Sequence, residues 1–185
     1  MVQEEAEHYK GLFPDSEVIG FDYRSQTPWD AITEFQNFFE TIMPEYNSAI
    51  LIANSIGAFF ALHALSAVCF EKTYFISPIV DMEKLITDMM RRAGVTEEEL
   101  EEKEIIKISF GQDLSWKYLT WVRNHSFVWN HPTAILYGNY DNLQSIYTIQ
   151  TFARECEATI TVMKNGEHWF HTDEQMKFLD RWICS

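Results

Sequence analysis

Short apolar runs alternate along this chain with longer stretches in which apolar residues recur every three or four positions. The runs at residues 17–23 (EVIGFDY), 49–54 (AILIAN), 73–76 (TYFI), 133–137 (TAILY) and 159–163 (TITVM) predict strands. Being short and mostly apolar on both faces, they have the character of buried parallel strands. Helical spacing covers residues 2–12, 29–42, 55–70, 143–155 and 173–182. Strand and helix in regular succession predict an α/β domain, a mostly parallel sheet of about five strands flanked by helices.

One stretch, residues 79–132, breaks the rhythm, being far longer than a single crossover helix requires. It reads as a helical insertion, with helices over 82–92, 96–103 and 115–124, the second opened by Thr96 and Glu99 at capping-box spacing. Trp116, Trp121 and Trp129 fall here among Met82, Met89, Met90, Phe110, Tyr118 and Phe127. Two readings stand side by side: these side chains pack a small core of the insertion's own, or the insertion is a lid whose three tryptophans line an apolar substrate pocket. Residues 1–185 then form a single domain carrying a cap at about 79–132.

Charge narrows the function classes. Fourteen Lys and Arg stand against twenty-eight Asp and Glu, a net charge of −14, and no basic cluster offers a grip on a phosphate backbone. Nucleic acid is therefore not an expected partner. No apolar run approaches the roughly 20 residues a bilayer crossing needs, and the opening MVQEE has neither the basic start nor the apolar centre of a secretory signal. The expectation is a cytoplasmic protein without a membrane partner. Cys69, Cys156 and Cys184 are odd in number and widely spaced, so they read as buried thiols rather than as a disulfide framework or a zinc site. The acidic run 97–102 reads as a solvated helix face.

The segment most informative about chemistry is A-N-S-I-G at residues 53–57, where a buried strand runs directly into a helix around Ser55. A nucleophile on so sharp a turn needs small residues two before and two after it, here Ala53 and Gly57. The bland alternative is Ser55 as an ordinary helix N-cap. Two later segments bear on the choice, because a serine nucleophile needs a base and the base needs an orienting acid. One is an apolar strand followed by Gly138 and Asp141; the other is the last strand followed by Gly166 and His168. Parallel strands bring their carboxyl ends to one edge of the sheet, so Ser55, Asp141 and His168 are expected together there. Among alternatives, His171 is the competitor to His168, and Asp81 and Asp113 are fallback acids that end no apolar strand. His63, within the helix after this turn, reads as a packed or hydrogen-bonded residue, and His8, His125 and His131 lack metal-ligand spacing. Neither a P-loop nor a dinucleotide fingerprint is present, and no cofactor or metal is expected.

With A-N-S-I-G, L-Y-G-N-Y-D, N-G-E-H-W-F-H and F-D-Y-R in this order, nearly the whole chain resembles the α/β-hydrolase family, in particular its small bacterial esterase-like and serine-aminopeptidase-like members. The resemblance implies Ser55 as nucleophile, His168 as general base, Asp141 as its orienting acid and the Ile56 backbone N–H as an oxyanion-hole donor. It implies a serine hydrolase working by acyl transfer, a carboxylesterase on a small apolar acyl or aryl ester. A peptidase of the same fold, or a catalytically weak domain that binds a ligand or partner through the same pocket, are the competing readings. The family's strand and His-Gly turn ahead of the first helix have no counterpart in this sequence. The expectation is that the given start is not the natural one, and that residues 17–23 and 49–54 face each other across an unfilled gap.

Overall fold

A computed structural model describes residues 2–185, with side chains from Glu5 onward. In chain order its elements are α1 (Val2–Leu12), α2 (Pro28–Ile42), β1 (Ile50–Asn54), α3 (Ile56–Ala64), β2 (Lys72–Ile76), α4 (Met82–Ala93), α5 (Glu97–Lys103), β3 (Ile105–Ile106), β4 (Leu114–Ser115), α6 (Trp116–Asn124), β5 (Thr133–Gly138), α7 (Ile146–Glu155), β6 (Thr159–Met163) and α8 (Asp173–Ile183). Local chemistry sets many of these boundaries. Pro28 opens α2 where a helix has no use for its first N–H. Asp81 caps α4 by accepting from the Lys84 N–H, and α4 stops at Gly94, whose φ of 69° suits glycine. Thr172 and Gln175 close a reciprocal capping box on α8.

Strands β1, β2, β5 and β6 form one sheet in that order, parallel throughout. Alternate side chains serve opposite faces, as a two-residue period requires. Leu51, Ala53, Phe75, Ile135, Tyr137 and Ile160 pack with α2, α3 and α7. Ile52, Tyr74, Ile76, Ala134, Leu136 and Met163 pack with α1 and α8 through Tyr9, Leu12, Leu179 and Trp182. The result is a sheet between two helical layers. No helix among the described residues is long and apolar enough to cross a membrane.

Residues 79–132 fold as α4, α5, a two-stranded antiparallel ribbon of β3 and β4, and α6. They do not build a core of their own. Met82, Ile86, Met90, Leu100, Leu114 and Leu119 are buried in the same apolar cluster as Ala31, Phe59 and Phe60.

Three expectations are corrected. Residues 17–23 form no strand, so the sheet has four strands rather than about five. Their alternation is real but serves side-chain packing: Phe21 stacks on Phe38 at 4.0 Å and Tyr23 lies 5.0 Å from Phe35. The chain just beyond is held by the Glu34 carboxylate, which accepts from the Arg24 and Ser25 N–H groups and the Ser25 hydroxyl. Among the described residues β1 has a partner only in β2, and Ile50 on that outer strand is 44% exposed. Helix α3 ends at Ala64, short of residue 70. Cys69 and Cys184 are exposed and Cys156 half-buried: Cys69 lies in the loop between α3 and β2, and Cys156 and Cys184 follow the last residues of α7 and α8.

His63 on α3 sits in an aromatic box, with ring centroids 4.7 Å from Phe59, 4.9 Å from Trp121 and 5.1 Å from Phe127. Burial, and secondly the neighbouring His125, push its pKa down to about 4. In the unfolded chain a histidine titrates near 6.5. Between about pH 6.5 and pH 4 the unfolded chain therefore binds the extra proton, and the stability that neutral His63 contributes is present above that window and lost as pH falls through it. Urea midpoints should drop between about pH 7 and pH 4.5, and His63→Phe should shrink that drop. An equal drop in both proteins would remove His63 as its source.

Candidate active site

Ser55 is the single residue between β1 and α3, and its backbone is strained, with φ 50° and ψ −119°. A non-glycine residue in this region costs about 1–3 kcal/mol and persists only where neighbours over-determine it. Here the neighbours are hydrogen bonds. The Ser55 N–H donates to the Ile76 carbonyl at 3.0 Å, and its own carbonyl accepts from the N–H groups of Ala58 at 3.2 Å and Ile79 at 3.1 Å. Ser55 is thus a turn residue with its hydroxyl free for chemistry, since the side chain makes no capping bond to α3. The glycine at position 57 is less constrained than the motif suggests: an added Cβ would meet the Tyr23 hydroxyl at 3.5 Å, an ordinary contact.

The Ser55 hydroxyl lies 2.7 Å from His168 Nε2, and His168 Nδ1 lies 2.8 Å from Asp141 Oδ2. With the carboxylate accepting from Nδ1–H, Nε2 is left as the acceptor for the serine O–H. The other oxygen of Asp141 accepts from the N–H groups of Leu143 at 2.8 Å and Gln144 at 3.2 Å. All three side chains are out of water, Ser55 at 8% exposure, His168 at 4% and the Asp141 carboxyl fully buried. Such a chain can draw a proton from the serine oxygen onto the imidazole while the carboxylate holds the ring in place.

Two loops must meet for this, and two glycines let them. A Cβ on Gly138 would stand 2.4 Å from the Gly166 carbonyl oxygen and 2.7 Å from that of Glu167. Across this contact the Tyr140 N–H donates to the Gly166 carbonyl at 2.8 Å, and the Asn165 N–H to Asn139 Oδ1 at 2.6 Å. The acid loop and the histidine loop are therefore pressed backbone to backbone. Position after a strand hinted at these glycines in the sequence; that they touch one another was not legible there.

The other candidates fall in different places. Ile56 is the first residue of α3, where a helix leaves its N–H groups without internal partners. Trp121 packs edge-on to His63, 4.9 Å away, and near Trp29 at 6.5 Å, which sets α6 against α2 and α3. Trp116, half-buried, starts α6 and packs against the same cluster. Trp129 is placed elsewhere: its indole N–H donates to the hydroxyl of Thr133, the first residue of β5, and its ring packs by Phe70 and Phe75. Thr133 lies at the amino end of the sheet, opposite Ser55, so Trp129 is core and not pocket lining. Asp81 is occupied as the cap of α4, and His171 is an exposed residue bonded to the Trp169 carbonyl. Among the described residues no three His, Cys, Asp or Glu side chains gather as metal ligands.

No protein-family model matches the chain, and no curated sequence matches it. Solved structures do. A protein of Agrobacterium vitis S4, named for an inferred hydrolase activity, superposes with a TM-score of 0.72 at 15% identity over 97% of this chain and 80% of its own. Est1E from Butyrivibrio proteoclasticus, also solved with ferulic acid bound, gives 0.68 at 12% identity over 86% and 68%. Alpha/beta hydrolase domain-containing protein 10 from mouse gives 0.64 at 16% over 82% and 67%. The chain has the α/β-hydrolase fold.

Gly138→Ala provides a sharp check on the geometry. No rotamer relieves a backbone clash of this depth, so the loops must separate or the strand end must shift. The variant should lose the Ser55–His168 hydrogen bond, and its thermal midpoint should fall by several degrees. Unchanged stability and an unchanged site in a crystal structure of the variant would contradict the close contact.

Proposed function

We propose that this chain is a serine hydrolase that splits small esters by acyl transfer. The observation that carries the reading is the unbroken hydrogen-bonded chain from Ser55 through His168 to Asp141 at the carboxyl edge of the sheet. In this reading Ser55 Oγ attacks the ester carbonyl carbon as its proton passes to His168 Nε2, and Asp141 stabilises the imidazolium that forms. The carbonyl oxygen becomes an oxyanion, and the Ile56 N–H at the head of α3 donates to it. Collapse of the intermediate breaks the ester C–O bond, and the departing alkoxide takes the proton from Nε2. Water then repeats the sequence, with His168 as base, to release the acid and restore Ser55.

The segment from α4 to α6 is the cap of this site in our reading, and Trp116 and Trp121 are its apolar contribution. A small apolar acyl or aryl ester suits that composition. Est1E shares the fold and holds ferulic acid, an aromatic carboxylic acid of the kind such an ester would release. The same machinery leaves peptide hydrolysis open, and a peptide p-nitroanilide assayed beside the ester distinguishes the two.

The test pairs a fluorophosphonate probe with hydrolysis of p-nitrophenyl acetate. Wild-type protein should be labelled on Ser55 and should turn over the ester. Ser55→Ala should abolish labelling and lower kcat/KM by about 10,000-fold, and Asp141→Asn by a comparable factor, because the wrong tautomer of the base is then favoured. A folded wild-type protein that neither takes the probe nor hydrolyses esters or peptide substrates would instead support a binding domain.

A further inference from the structure

The geometry points to Gln144 as a positioning residue that locks the loop of Asp141 to the turn of Ser55; the assignment rests on the hydrolase reading above. Gln144 follows the acid by three residues and is only 2% exposed. Every polar atom it has is used. Its Oε1 accepts from the N–H groups of Val80 at 3.2 Å and Asp81 at 3.0 Å. Its Nε2 donates to the carbonyls of Asp81 and Leu143, both at 3.1 Å. Its carbonyl accepts from the buried Tyr137 hydroxyl at 2.9 Å, and its N–H is one of the two that hold Asp141 Oδ1.

What the side chain grips gives the residue its role. Residues 77–81 leave β2 as a strap along the carboxyl edge of the sheet and lead into α4. At one end the Ser77 N–H donates to the Leu136 carbonyl at 2.9 Å, with Ser77 itself at φ 43°, and the Ile79 N–H donates to the carbonyl of Ser55. At the other end Val80 and Asp81 are bonded to Gln144. The strap therefore touches the nucleophile's own peptide on one side and the acid's loop on the other, and Gln144 closes the connection. Asp81 also caps α4, so the same clamp fixes where the segment in front of the site begins.

Only a neutral primary amide satisfies this site. Two N–H groups converge on its oxygen and two carbonyls on its nitrogen, so a carboxylate would lose both donations and an apolar side chain would lose all four bonds. The N–H groups of Val80 and Asp81 and the Leu143 carbonyl would then lose their partner, the Asp81 carbonyl keeping only the Leu85 N–H, and the strap and loop would separate to reach water. Movement of about 1 Å between reacting groups costs on the order of 100-fold in rate.

The experiment uses the full chain with Gln144→Met, similar in length and without hydrogen-bonding capacity, and Gln144→Glu, which keeps only the acceptor. Active sites are titrated with the fluorophosphonate, p-nitrophenyl acetate turnover is measured per titrated site, and the low-field proton resonance of His168 Nδ1–H is followed by NMR. Gln144→Met should lower kcat per site about 100-fold with KM within about threefold, and should broaden or abolish the low-field resonance. Gln144→Glu should show the same signs with at least a tenfold fall in kcat. A folded variant with kcat per site within about twofold of wild type and the resonance intact would overturn the assignment. If neither variant folds, Gln144 is a stability residue and the positioning role is overturned as well. The hydrolase reading fails by different signatures, a folded wild type that is neither labelled nor active, or hydrolysis that survives Ser55→Ala, whereas the NMR readout tests Gln144 without reference to turnover.

Discussion

Two glycine backbones in contact decide whether this molecule has a site. Gly138 ends β5 and Gly166 follows β6, and there is no room between them for a methyl group. The contact lets the acid loop and the histidine loop share hydrogen bonds, and it is why Asp141 and His168 meet at 2.8 Å although 27 residues separate them. The parallel register of β1, β2, β5 and β6 supplies the rest, because it ends every strand at the same edge and so presents Ser55 to the same point. The glycines forgo side-chain packing and backbone rigidity, and the sheet on either side of them carries the stability they give up.

The strain at this edge is held by backbone hydrogen bonds rather than by side chains. Ser55 and Ser77 both have positive φ, both directly follow a strand of the sheet, β1 and β2, and they are tied through Ile76 and Ile79 into one bonded set. A turn fixed in this way is preorganised, which is the condition for electrostatic stabilisation to lower a barrier in the proposed reaction. The far side of β1 is built on different forces. There residues 17–23 are held by aromatic stacking on α2, with Glu34 gripping Arg24 and Ser25 just beyond, and have no ladder bonds.

Much of this was legible in the sequence because its causes are local. Strands β1, β2, β5 and β6 announce themselves by short, mostly apolar runs, and Asp81, Thr96, Ser115 and Thr172 mark their helices by a polar oxygen placed to accept an N–H. The order of Ser55, Asp141 and His168 on strand ends was enough to bring them together. What escaped depends on partners far along the chain. The run at 17–23 has the period of a strand, but pairing requires a neighbour, and no periodicity reveals whether one is there. Trp129 looked like pocket lining by proximity to Trp116 and Trp121, yet its indole N–H finds Thr133 at the other end of the sheet. Gln144 gave no signal at all, since one glutamine after a strand resembles any loop residue until Val80 and Asp81 are seen against it.

If the proposed acyl transfer runs through Ser55, an acyl group is bonded to it during turnover, and that bond can be weighed. The protein is mixed with a p-nitrophenyl ester, quenched in acid during turnover, digested and examined by mass spectrometry. The peptide containing Ser55 should carry the mass of the acyl group, and the adduct should disappear as the ester is exhausted. Turnover with no acyl group on that peptide, or with one on another residue, would contradict the proposed acyl transfer.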